Sequence, residues 1–429
     1  MSSLSSQSDS APSPSQSEKQ LRFAAILAFT VMGFHVGVYA VQLAPLAHAL
    51  GLTVFDVGLV GTVSSLVGVV VRASLGRFTD RFGRHIVLAF GFGGTAFVFV
   101  AIAAVSSLLA LYVALIGYGL CACWMDIGAN TLGAEVERAT RRRSMNGLQA
   151  GFSAGACVGA LGAAVILSLG IDYRAVYGGL AIVLALCACL LLTLRLPQTP
   201  KHTTAPSNLD GEQTRRVSLW RNPLIVFGIV VLTVTFFGDG ALESFLSVYM
   251  NATLGAAILL AGVGVALFHA ASLLGRLLAH ATLNRFGERR VVFSAGLLAS
   301  AGIVLAVVSP TPEVAIAGLL ITGFAEAPLV PLALSLVGSA IPHRTGEAVS
   351  LATSVGFSAF IASPIIVGGI AQATDLRVGL ALVALTLLTV AILGLRWPRH
   401  QLSSRRAAED CGTSPHTPVQ TPPPDQGRE

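Results

Sequence analysis

Long apolar runs follow one another from Arg22 to Arg396, each about as long as a membrane-crossing helix and each ended by a short polar or glycine-containing break. About 20 apolar residues are needed to cross the roughly 30 Å of hydrocarbon in a bilayer, so the pattern predicts spanning helices. Twelve fit: 22–46, 56–76, 86–105, 108–134, 145–169, 175–194, 222–249, 254–279, 291–309, 313–339, 346–371 and 377–395. The longest internal polar stretch, LPQTPKHTTAPSNLDGEQTRRVSLWR at 196–221, divides six spans from six. The expected organisation is therefore an all-α membrane protein with a six-helix bundle at 21–195, a linker at 196–221 and a second six-helix bundle at 222–396. Residues 1–20 are rich in serine, and 397–429 are charged and rich in proline. Such compositions bury too little apolar surface to fold, so both are read as disordered tails. The first apolar run is longer than a signal-peptide core and leads straight into a second span, which predicts an uncleaved helix.

Composition agrees: 54% of residues are hydrophobic and 11% charged, the mean hydropathy is +0.76, and a soluble domain carries about 25% charge. A net charge of +6 would point to nucleic acid in a soluble chain, but here its distribution explains it. Basic residues concentrate on the cytoplasmic side of a bilayer. With the N-terminus cytoplasmic, only Arg174 and Arg377 of the 27 Lys and Arg residues fall on the outer side. Both termini are thus expected inside, in the cell (inner or plasma) membrane. Cys121, Cys123, Cys157, Cys187 and Cys189 lie in apolar spans and Cys411 in the tail. The two Cys-x-Cys pairs point to different sides of a helix, so neither a metal site nor a disulfide framework is predicted.

Two charged knots interrupt the apolar pattern. GRFTDRFGRH spans 76–85, and LNRFGERR spans 283–290. Each contains Arg-Phe-Gly after an Asp or Asn, each has an arginine (Arg72, Arg276) eight residues before that polar residue, and the two copies are 204 residues apart. Charges at helix ends stay hydrated, and glycine allows the turn between spans to be tight. On Gly76, Asp80, Arg81, Gly83 and Arg84, the first knot resembles the signature between spans two and three of the major facilitator superfamily. His85 stands where a lysine or arginine is usual. The second copy, after span eight, is degraded: Asn284 replaces the acid and His280 the first glycine, while Arg285, Gly287 and Arg289 remain. The resemblance implies two pseudo-symmetric six-helix bundles around a central cavity, with these loops latching the halves on the cytoplasmic side. Glu135 or Glu137, near the end of span four, would pair there with Arg81 or Arg84. The stretches WMDIGANTLGAEVE, GDGALESFLSVYM and GLLITGFAEAPLVPLALS resemble bacterial inner-membrane members related to the fucose-type sugar permeases.

Ionisable groups inside an apolar span are costly, about 2.5 to 3.5 kcal/mol at mid-bilayer for a charge, and mark function. They are His35 in span one, Asp126 in span four, Asp239 and Glu243 in span seven, His269 in span eight and Glu326 in span ten. Spans three, six, nine and twelve carry none in their interiors apart from tyrosine and cysteine. The resemblance implies that every third helix lies towards lipid, which leaves the ionisable residues on cavity-lining helices. Helical spacing groups His35, Tyr39 and Gln42, then Asp126 and Asn130, then Asn146, Gln149 and Ser153, then Asp239 and Glu243. Asp239 and Glu243 repel each other when both are ionised, and a carboxyl able to take a proton is what proton coupling requires. The flanking Gly238 and Gly240 predict a helix broken at Asp239. Each site has a structural alternative: Asp126 pairing with a basic residue, Glu326 bonding backbone freed by Pro328 and Pro331, and His35 and His269 as neutral hydrogen-bonded histidines. Arg276 is assigned to the loop latch, with attraction of an anion as the alternative. Gly147, Gly151, Gly155 and Gly159 form a ladder for close helix packing, and span five lacks the proline of the antiporter motif in many drug-exporting members.

No phosphate loop and no nucleophile, base and orienting-acid set is present, so catalysis has no support and no cofactor is expected. The reading is secondary active transport of a small solute by alternating access in a monomer. Asp239, Glu243, Asp126 and Glu326 are its proton-coupling candidates. His35, Tyr39, Gln42, Asn130, Asn146, Gln149 and His269 are its substrate-binding candidates. Uptake and export both fit, and the alternatives are an uncoupled facilitator or a transporter-like sensor. A pocket with few aromatics suits sugars, amphiphilic drugs and metabolites alike.

Overall fold

The computed structural model describes residues 16–82, 84–140, 144–194, 219–341 and 344–398; for 69–82, 84–85 and 346 it describes backbone only. The described residues form thirteen α-helices, of which the first unit holds six: α1 (Gln16–Leu50), α2 (Val54–Phe82), α3 (Arg84–Ala103), α4 (Leu108–Thr140), α5 (Met145–Ser168) and α6 (Tyr173–Thr193). The second unit is α7 (Pro223–Val248), α8 (Ile258–Phe286), α9 (Glu288–Val308), α10 (Pro312–Glu326), α11 (Leu329–Ala340), α12 (Thr345–Ala373) and α13 (Leu376–Leu395). The α10–α11 pair is one span, broken where Pro328 lacks the N–H that would continue the ladder. Counted so, eleven helical segments among the described residues are long and apolar enough to cross a membrane, and α2 adds the apolar stretch Val54–Gly68.

Local signals set the helix starts. Asp172 accepts from the Arg174 N–H at 2.7 Å ahead of α6, and Asn222 accepts from the Leu224 N–H at 2.9 Å with Pro223 in the first turn of α7. Asp375 accepts from the Val378 N–H at 3.0 Å ahead of α13. Each side chain satisfies a donor that the first helical turn leaves orphaned. Glu137 caps α5 from a distance, its Oε1 accepting from the Ser144 and Met145 N–H groups.

The two units repeat one packing scheme: α1 rests on α5 as α7 rests on α12, α2 on α4 as α8 on α10, and α3 on α6 as α9 on α13. The pairs α3/α6 and α9/α13 sit on the flanks, and their large apolar side chains are exposed, among them Phe97, Leu186, Val304 and Leu385. In a lipid solvent such exposure carries no penalty, which is why uniformly apolar helices occupy these positions.

The helix break expected at Asp239 is absent, and α7 runs unbroken through Gly238 and Gly240. The reason is packing. A Cβ on Gly240 would run into the Phe360 carbonyl and the Ser363 hydroxyl of α12, so glycine is there for close approach. Irregularity comes later, as a wide π-helical turn at Tyr249–Thr253, with the Tyr249 hydroxyl donating to the Ala306 carbonyl at 2.8 Å.

Candidate functional site

A cavity of about 220 Å³ lies between the units. The first unit contributes His35 and Tyr39 of α1, Ser64 and Ser65 of α2, Tyr118 and Asp126 of α4, and Phe152 of α5. The second contributes Glu243 and Ser244 of α7 and Phe357, Phe360 and Pro364 of α12. None of these residues belongs to a flanking helix.

His35 is buried at 2% exposure, and its Nδ1 lies 2.6 Å from the Met32 carbonyl. That oxygen can only accept, so Nδ1 carries the hydrogen and Nε2, in the neutral ring, accepts from the Tyr118 hydroxyl at 2.9 Å. His35 is therefore both a hydrogen-bonded histidine between helices and a wall of the cavity. Tyr118, 83 residues away, is missing from the sequence-derived set, because a single tyrosine in an apolar span announces nothing about its partner. Tyr39 also lines the cavity and stacks on Tyr118 with ring centroids 5.3 Å apart. Its hydroxyl is buried without a hydrogen-bond partner. Gln42, third member of that helical face, turns away. Its Nε2 donates to the Tyr173 carbonyl at 2.9 Å and ties α1 to the start of α6.

The expectation of a pocket poor in aromatics is corrected by the rings of His35, Tyr39, Tyr118, Phe152, Phe357 and Phe360 around one space. Phe357 and Phe360 stack with centroids 5.2 Å apart. Aromatic content averaged over the chain says nothing about where rings converge.

Asp126 lines the cavity, and its Oδ1 and its main-chain carbonyl both accept from Asn130 Nδ2 at 2.9 Å. The expected pairing of these residues on one face is thus met within α4. Asp239 and Glu243, a turn apart in α7, are half-buried, and neither makes a hydrogen bond among the described residues. Glu326 is buried at 6% exposure with Oε2 unbonded, so it does not serve the backbone freed by Pro328. His269 is buried edge-on to Phe268 and does not line the cavity. Asn146 is exposed at the start of α5.

Arg276 departs most from expectation. Rather than joining a loop latch, it crosses between the units and donates from one guanidinium nitrogen to the Gln149 carbonyl and the Ser153 hydroxyl of α5, both at 2.8 Å. The acids Asp239, Glu326 and Glu243 all lie within its electrostatic range without a direct ion pair. One base thus holds the first unit by hydrogen bonds while three acids of its own unit attract it.

The first charged knot sits where α2 ends and α3 begins. Gly83 and the side chains of Asp80, Arg81 and Arg84, and with them the pairing expected of Glu135 or Glu137, lie outside the described residues, and of Gly76 the helical backbone alone is described. In the second knot, Gly287 adopts φ 78° at the joint of α8 and α9, a left-handed conformation that glycine alone enters without strain. Asn284 Nδ2 lies 3.1 Å from His280 Nε2, Arg285 stacks over the Phe286 ring, and Arg289 is half-buried.

Away from the chain ends the units meet closely. The Thr62 hydroxyl donates to the Ile361 carbonyl at 2.9 Å and Ser247 donates to the Ala40 carbonyl. Gly58 packs on the Pro364 carbonyl and Gly262 on the Ala164 methyl.

The sequence matches the Major Facilitator Superfamily over residues 24–278 and again over 228–421, in keeping with the repeated halves. An uncharacterized MFS-type transporter of Yersinia pestis is 26% identical over 366 residues, covering 85% of this chain and 92% of that protein. An uncharacterized transporter of Sinorhizobium fredii is 26% identical over 291 residues, 66% of this chain and 73% of that protein. Among solved structures, one of the nucleoside transporter NupG superposes with a TM-score of 0.72 at 15% identity, over 89% of this chain and 99% of that one. A bacterial homolog of the human lysosomal transporter Spinster, inward-facing and occupied, gives 0.72 at 15% identity over 93% and 99%. These likenesses establish the fold, and a likeness to sugar permeases in particular is not among them. The repeated six-span units, the cavity between them and the match across both halves make this chain a member of the Major Facilitator Superfamily, a multi-pass membrane transporter.

Proposed function

We propose that the protein moves a small solute across the cell membrane by alternating access of the central cavity, coupled to protons, with both termini cytoplasmic and the monomer as the working unit. The observation that carries the proposal is the charge arrangement around Arg276. Its guanidinium is bonded to α5 of the first unit, while Asp239, Glu243 and Glu326 of the second attract it. Protonating one acid weakens that attraction and leaves Arg276 more firmly with Gln149 and Ser153. Losing the proton does the reverse, so proton occupancy and the contact between halves are linked. Asp126, on the opposite wall, is the fourth coupling candidate, and Glu243 is the one of the three that borders the cavity.

The test is proton movement in proteoliposomes loaded with a pH-sensitive dye, with a solute library added to wild type and to Asp239→Asn/Glu243→Gln. The reading predicts a solute-evoked proton signal in wild type that the double variant loses. Flux without proton movement would leave a facilitator, and a proton signal that survives in the variant would move the coupling site to Asp126 or Glu326.

A further inference from the structure

The cavity walls specify a ligand chemistry more narrowly than transport alone requires. Two ring pairs border it, one from each unit: Tyr39 with Tyr118, centroids 5.3 Å apart, and Phe357 with Phe360, centroids 5.2 Å apart. Aromatic faces carry negative charge density and attract cations, with trimethylated and other substituted ammonium groups the best fit. A carboxylate opens onto the same space, because Glu243 borders the cavity and makes no hydrogen bond among the described residues. The Tyr39 hydroxyl at the wall is likewise buried and unbonded. Among the described residues no lysine or arginine side chain borders the cavity, and Arg276 gives one guanidinium nitrogen to Gln149 and Ser153.

From this geometry we infer that the cavity receives a small organic ammonium ion, its cationic head held by Glu243 and the faces of the two ring pairs and its apolar part on the remaining apolar wall. The inference rests on the reading of the cavity as the transport site and adds the class of ligand. An organic anion meets no lysine or arginine among the described lining residues, and it would face Glu243. A sugar needs a hydrogen-bonding group for each hydroxyl, whereas much of this wall is ring and aliphatic surface. A bare metal ion finds no group of three His, Cys, Asp or Glu side chains among the described residues. The small volume favours a ligand of one ring or a short chain.

Because the ammonium and the proton both seek Glu243, they compete. The charged and titratable groups around that carboxylate, Asp239, Arg276 and Glu326 from the second unit with His35, Tyr118 and Asp126 from the first, set the background charge.

Three probes sharing one ring and differing in charge test this by calorimetry on the purified full-length protein: benzyltrimethylammonium, benzyl alcohol and phenylacetate. The expected order places the ammonium at least about tenfold tighter than either other probe, a gap of about 1.4 kcal/mol. Glu243→Gln weakens the ammonium about tenfold or more and leaves benzyl alcohol unchanged, Glu243→Asp retains part of the affinity, and Phe360→Leu lowers the ammonium more than the alcohol. The benzyl alcohol titration and an unaltered melting profile show that each variant is folded. Tighter binding of phenylacetate, ammonium affinity unchanged in both Glu243→Gln and Phe360→Leu, or no binding of any probe at millimolar concentration would each overturn the inference. The same probes in proteoliposomes separate it from the transport reading. Ammonium binding without flux sinks transport and keeps the site, whereas flux of phenylacetate without ammonium binding keeps transport and sinks the site.

Discussion

Arg276 donates across the two units from a half-buried position, and the consequences of removing it are set by what it leaves behind. Without its guanidinium, the Gln149 carbonyl and Ser153 hydroxyl lose a charged donor, and Asp239, Glu243 and Glu326 lose a cation that attracts them. Ser153→Ala removes one bond to a charged group, a loss of about 1.5 to 3 kcal/mol at most. Arg276→Met leaves negative charge uncompensated as well, so its loss should exceed that of Ser153→Ala. The sign of the compensation is the sharper prediction. Adding Asp239→Asn to Arg276→Met removes one of the stranded charges, so the double variant should melt at a higher temperature than Arg276→Met alone when both are followed by thermal unfolding in detergent. If the two losses simply add, the acids are not in electrical contact with Arg276 and the coupling scheme fails. At this scale the sequence is informative about cost and poor about partners. His35, Asp126, Asp239, Glu243, His269 and Glu326 stand out because a charge-bearing side chain is expensive in an apolar run. Nothing local distinguishes Tyr118, which completes the His35 hydrogen bond from 83 residues away, or sends Gln42 towards Tyr173 while its helical neighbours face the cavity.

The glycines of α5 show how one periodic pattern holds positions of unequal importance. Gly155 and Gly159 lie hard against the Thr30 and Phe34 carbonyls of α1, and Gly33 and Gly37 return the contact against Phe152 and Ala156. A Cβ on Gly151 would come 3.2 Å from the Thr30 hydroxyl, and one on Gly147 would meet nothing within 4 Å. The ladder is therefore a packing seam inside the first unit, tightest at its last two rungs, and the glycine contacts between halves lie elsewhere. Gly155→Ala should destabilise the protein by about 1 to 3 kcal/mol as an overpacked contact, whereas Gly147→Ala and Gly162→Ala should melt at or slightly above wild type, since alanine is the better helix former. Equal losses at Gly155 and Gly147 would show that the seam does not carry the packing assigned to it. Elements were legible in the sequence because each is a long apolar run with a clear end, and every expected span falls on a helix or a helix pair. The break expected at Gly238 and Gly240 was misplaced because glycine serves both to interrupt a helix and to admit a neighbour, and only the partner, here Phe360 and Ser363 of α12, decides which.

Across the whole molecule, two kinds of glycine contact separate packing within a unit from packing between units, and this makes the direction of opening testable. Gly58 of α2 meets the Pro364 carbonyl of α12, and Gly262 of α8 meets the Ala164 methyl of α5, both on the side of the molecule away from the chain ends. Bonds from Thr62 to Ile361 and from Ser247 to Ala40 close the same seam. A methyl group added at Gly58 is accommodated when that seam is open and crowded when it is shut, so it acts on one state of the cycle only. A wedge costing about 1.4 kcal/mol in the shut state shifts the ratio of states tenfold towards the open one. A cysteine at Thr62, in a background freed of the native cysteines, reports the shift through its rate of labelling by a membrane-impermeant maleimide. In intact cells Gly58→Ala should raise that rate about tenfold, and Gly155→Ala, which crowds a contact inside one unit, should leave it unchanged. Labelling from the cytoplasmic face alone would invert the orientation assigned from the distribution of arginine and lysine. An unchanged rate in Gly58→Ala would mean that the seam does not part during the cycle, and the solute would then need another way out of the cavity than the one the repeated halves provide.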